Sequence, residues 1–88
     1  MKIKEGFVMR EVAGQTVVIA VGESSKQFRG MIYLNDTGKC VWTCIQEGLE
    51  EAAIVEKIVQ MYDVNLERAT QDVREMVQQM LDAGVIEQ

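Results

Sequence analysis

The chain has 88 residues, 14 acidic against 9 basic, a net charge of −5 and no histidine. A single domain of this length buries only about 60–65% of its unfolded surface, so most apolar side chains go to one core and an elaborate enclosed active site is excluded. The missing histidine removes the commonest general base and metal ligand near neutral pH, and the acidic balance opposes nucleic acid, whose binding draws on clustered Lys and Arg.

Residues 1–7 lack the apolar core of a signal peptide, and the apolar run 17–21 is too short to span a bilayer. A cytoplasmic domain without membrane contact is therefore expected. Residues 7–12 and 16–21 are rich in β-branched side chains and separated by Ala13-Gly14-Gln15, which predicts an antiparallel hairpin. The polar stretch 22–27 reads as a loop. A third strand follows over about 29–34, with Ile32 and Leu34 on one face and Met31 and Tyr33 on the other.

From Asn35 the periodicity becomes helical. Asn35, Asp36 and Thr37 are candidate caps for a first helix over about 36–47, in which Val41, Cys44 and Ile45 recur beside Trp42, a candidate core anchor. A second helix over about 50–62 carries Ile54, Val55, Ile58, Val59, Met61 and Tyr62 on an apolar stripe. Asn65 then caps a third over about 66–83, with Leu66, Ala69, Val73, Met76, Val77, Met80 and Leu81 at three-and-four spacing. Gly84 ends it in a left-handed cap, and Val85-Ile86 is expected to fold back over the helix end. Three strands followed by three helices predict one α+β domain over residues 1–88, a winged helix-turn-helix with a three-stranded antiparallel sheet.

Few groups of catalytic type are present. The seven glycines stand singly, without a GxxxxGK[ST] or GxGxxG phosphate cradle. Cys40 and Cys44, four residues apart on one helix face, could form half of a metal or redox site, but structural zinc takes four ligands. They read instead as small apolar side chains, with no metal and no cofactor expected. Met61, Met76 and Met80 fall on core stripes, although methionine also lines surfaces that accept varied peptides, a role open to Met31 and Met76. If the second strand lies in the middle, the third has an unpaired edge, either blunted by Lys26 and Arg29 or used for strand addition by a partner.

Several segments, in order, resemble the PqqD family: Gly6-Phe7-Val8-Met9-Arg10-Glu11-Val12; Leu34-Asn35-Asp36-Thr37-Gly38 followed by Val41-Trp42; Ile58 to Tyr62-Asp63-Val64 followed by Asp72-Val73; and Leu81-Asp82-Ala83-Gly84-Val85-Ile86. The resemblance implies a winged helix-turn-helix that serves as a RiPP recognition element. Such a module is a non-catalytic chaperone that binds the leader of a ribosomally made precursor peptide and presents it to a modifying enzyme, in the founding pathway of pyrroloquinoline quinone biosynthesis a radical SAM enzyme. It further implies that the peptide adds to the third strand and lies against the last helix. At matching positions these are Phe28, Arg29, Met31, Ile32 and Tyr33, facing Arg68, Ala69, Asp72, Val73 and Met76. A charge at Val73 is accordingly expected to weaken peptide binding without unfolding the domain. The alternatives are a generic or self-associating interaction domain, monomeric or weakly dimeric, and a DNA-binding regulator. The last is opposed by the final helix, where Glu67, Asp72, Glu75 and Asp82 outnumber Arg68 and Arg74.

Overall fold

The structure is a computed structural model that describes residues 1–27 and 30–88. Strands β2 (Phe7–Val12) and β3 (Gln15–Ala20) form an antiparallel hairpin, with Phe7 opposite Ala20 and Val12 opposite Gln15. The connection is two residues long, because Ala13 and Gly14 both take positive φ, 51° and 79°. That pair of left-handed residues matches the right-handed twist of the flanking strands, so Gln15 joins the strand instead of the turn. β4 (Met31–Leu34) pairs antiparallel with the other side of β3, giving the order β2-β3-β4.

Between β3 and β4 the stretch expected as a loop contains a single helical turn, α1 (Ser24–Gln27). The Ser25 hydroxyl donates to the Gly22 carbonyl at 2.7 Å and the Ser24 hydroxyl to the Glu5 carbonyl at 3.0 Å. Three longer helices follow: α2 (Asp36–Gln46), α3 (Glu51–Met61) and α4 (Leu66–Ala83). Asn35 and Asn65 cap α2 and α4, their side-chain oxygens accepting from the Gly38 and Arg68 amides at 2.8 and 2.7 Å. Gly84 closes α4 with φ 79°, a conformation that favours glycine.

Beyond Gly84 the chain does more than cover the helix end. Strand β5 (Ile86–Glu87) pairs antiparallel with β1 (Lys2–Ile3), and the Lys4 amide donates to the Val85 carbonyl at 3.0 Å. Val85 and Ile86 are almost fully buried by this second, two-stranded ladder.

The helices pack on one face of the three-stranded sheet. The core contains Val18 from the sheet, Val41, Trp42, Cys44 and Ile45 from α2, Ile54, Val55 and Ile58 from α3, and Ala69, Val73, Val77 and Met80 from α4. Two residues expected on buried stripes lie outside it: Met61 is 57% exposed and Leu66 62% exposed. They stand at the last position of α3 and the first of α4, where the periodic stripe runs past the layer that would cover it.

Candidate functional site

Alternation along β4 sets up the site. Ile32 and Leu34 turn toward the helices and are half-buried, while Met31 and Tyr33 point to the other face and are exposed. Gly38, in the first turn of α2, lets that helix pass close to the strand. A Cβ there would come within 3.3 Å of Leu34 Cδ2 and of Asn35 Oδ1, so even alanine would require those side chains to give by a few tenths of an ångström. Among the described residues no strand pairs with the outer edge of β4, which leaves backbone N–H and C=O groups there without a ladder.

Beside this edge lies an open groove of about 920 Å³. One wall is Ile32, Tyr33 and Leu34; the other is the second half of α4, with Met76, Gln79, Met80 and Ala83. The hairpin residues 14–16 and the start of α2, Asn35, Asp36 and Gly38, close one end. Ile32, Leu34, Met76, Met80 and Ala83 make the lining apolar, while Gln79 on the α4 wall and the residues at that end are polar. Asp36 supplies its one carboxylate, and no Lys or Arg lines it among the described residues.

A polar clasp stands beside the closed end. Thr16 Oγ1 donates to Glu11 Oε1 at 2.9 Å and Lys39 Nζ to the same oxygen at 3.2 Å, linking the hairpin to α2. The Thr16 hydrogen bond first, then the hydrogen bond and charge of Lys39, hold the Glu11 carboxyl below the ordinary glutamate value.

The residues singled out from the sequence divide sharply. Ile32, Tyr33 and Met76 line the groove, and Met31 lies on the same strand, exposed on the outer face. Phe28 and Arg29 lie outside the described residues. Ala69 and Val73 are 0% exposed and belong to the core, so a charge at Val73 would be buried without a partner and would unfold the domain, contrary to the expectation above. Arg68 and Asp72 do not line the groove; they pair with each other across one turn of α4, Nε to Oδ1 at 3.3 Å. The groove is thus lined by the second half of α4 and not by the first. Gln79, Met80 and Ala83 were missed, though they continue from Met76 at the same three-and-four spacing. Leu34, the last residue of the strand expected to offer its edge, also lines the groove.

Among the described residues no group of three or more His, Cys, Asp or Glu is placed to hold a metal ion, and no helix is long and apolar enough to cross a membrane.

The profile of the family described as coenzyme PQQ synthesis protein D (PqqD) matches residues 8–86. No curated protein sequence matches the chain. Two solved structures share its fold. One is TbiB1 in complex with the TbiA(beta) leader peptide, 21% identical over 99% of this chain and 95% of that one, with a TM-score of 0.81. The other is lasso peptide synthetase B1 complexed with the leader peptide, 18% identical over 94% of this chain and 92% of that one, with a TM-score of 0.77.

Proposed function

The chain belongs to the PqqD family, and from that premise we propose that it is a non-catalytic recognition element that binds the leader of a precursor peptide and presents it to a modifying enzyme. The observation that carries this reading is β4. Its four residues offer an unladdered edge directly beside an open, largely apolar groove. An extended peptide added to that edge would satisfy the free backbone groups and direct alternate side chains into the groove. Two proteins of the same fold are complexes with leader peptides, which supports leader-peptide binding here.

The peptide lies along Met31, Ile32, Tyr33 and Leu34. Its inward side chains rest on Met76, Gln79, Met80 and Ala83. Apolar side chains suit the middle of the groove, and the end beside Asp36 favours a polar or basic one. The acidic face of α4 repels phosphate, which opposes the DNA-binding alternative.

The test is a titration of isotope-labelled protein with synthetic leader peptides from precursor genes neighbouring its own gene. Amides of residues 31–34 and 76–83 should shift together, and the shifts should vanish in Met76→Glu. Spectra that stay unmoved across the whole peptide series would refute the proposal.

A further inference from the structure

On another face of α2, three sulfur-bearing side chains line a second surface pocket. Cys40 and Cys44 stand one turn apart on α2, close enough for Cys40 to influence the Cys44 thiol. Cys40 Sγ lies 3.7 Å from Met61 Sδ at the end of α3. All three residues line a pocket of about 340 Å³ between the two helices. Cys44 is its buried floor, Cys40 is half-buried, and Met61 is exposed at the rim, the position that takes it out of the hydrophobic stripe.

We propose that Cys40, Cys44 and Met61 form a binding site for one soft monovalent metal ion of the copper(I) or silver(I) class. Two thiolates and a thioether are soft donors, and such sets select copper(I) over ions that prefer oxygen or nitrogen. With metal–sulfur bonds of about 2.3 Å, three sulfurs in a trigonal array sit about 4.0 Å apart, close to the 3.7 Å separation of Cys40 and Met61. Structural zinc would need a fourth ligand. The cysteines alone fall short of a site; the fold adds Met61, seventeen positions beyond Cys44 in the chain.

Binding balances as the ion displacing one proton from each thiol, both released to water, while the thioether donates a lone pair unchanged. The resulting group carries one negative charge. Lys39 and Lys57 line the same pocket, balanced by Asp36 and Glu47, which line it as well; each lysine also pairs with a carboxylate, Glu11 at 3.2 Å and Glu47 at 3.8 Å. Burial pushes the Cys44 thiol up, and the neighbouring Cys40 adds to the effect. Only an ion with high thiolate affinity displaces such a proton, which favours soft ions further.

The full chain, reduced and in chloride-free buffer, is titrated with silver nitrate as a redox-inert probe. Native mass spectrometry counts the ions and methionine-methyl NMR locates them. One silver ion should bind per chain, and the Met61 methyl should shift while those of Met31 and Met76 stay in place. Loss of even an outer-shell partner costs about tenfold in metal affinity, so removal of a ligand in Met61→Leu should cost at least that. Met61 is exposed, so this variant keeps the fold; Cys40→Ser is the second and should abolish binding. An unmoved Met61 methyl, unchanged affinity in Met61→Leu, retention in Cys40→Ser, or stoichiometric zinc retention by the parent would each overturn the assignment.

Discussion

Trp42 is the bulkiest of the fully buried side chains, and its indole N–H has no hydrogen-bond partner among the described residues. Packing and polarity therefore oppose each other at one position. Truncation in Trp42→Ala should cost about 3–5 kcal/mol through the cavity it leaves. Trp42→Phe keeps much of the volume and removes an unpaired donor whose burial costs about 1–3 kcal/mol. Urea denaturation should place it within about 2 kcal/mol of the parent; an equal loss in both variants would show that restored ring volume recovers nothing and that the indole itself is required. Val73 and Met76, three positions apart on α4, diverge in the same way. Val73→Asp should lose far-UV helicity at 25 °C, whereas Met76→Glu should keep it and lose peptide affinity by at least about tenfold, or 1.4 kcal/mol. The sequence could not separate these two residues, because the core and the groove draw on one continuous stripe of α4.

Among the elements, those with strong local signals were legible: the hairpin, the three long helices, the Asn35 and Asn65 caps, and the Gly84 stop. The pairing of β1 with β5 was not. Two residues show no period, and the ladder exists only because the fold brings Lys2 opposite Glu87 and Ile3 opposite Ile86. Its energetic weight comes from Val85 and Ile86, both almost fully buried. Removing residues 85–88 should thus lower stability by roughly 3–6 kcal/mol, at about 1.5–3 kcal/mol for each buried side chain. Thermal melting of the shortened chain checks this, and an unchanged midpoint would mean that the terminal ladder is only a cover. The groove was half legible for a related reason. The family resemblance pointed to Ile32 and Tyr33, but which turns of α4 face them depends on the crossing of strand and helix, which no local pattern encodes.

At the scale of the whole molecule, sheet and helices meet tightly at Gly38 and are tied at the closed end of the groove by Glu11, Thr16 and Lys39. Because the Glu11 carboxyl titrates below its ordinary value in the folded chain, the clasp contributes fully above the ordinary glutamate pKa. Its contribution is lost as pH falls through the depressed value. Melting curves of the parent and Glu11→Gln should therefore differ at neutral pH and converge in acid; parallel curves would show that the clasp adds nothing. Full exposure and salt screening keep the effect small.

The brevity of β4 governs time as well as affinity. In an antiparallel ladder only alternate residues face a given neighbour, so four residues present about four hydrogen-bonding groups outward. At about 0.5–1.5 kcal/mol each they supply roughly 2–6 kcal/mol, short of the about 8.2 kcal/mol of a micromolar complex. Side chains in the groove must provide the remainder. With association near 10⁶ per molar per second, a complex of about micromolar strength dissociates in about a second. A peptide held at that strength on so short an edge would leave within about a second.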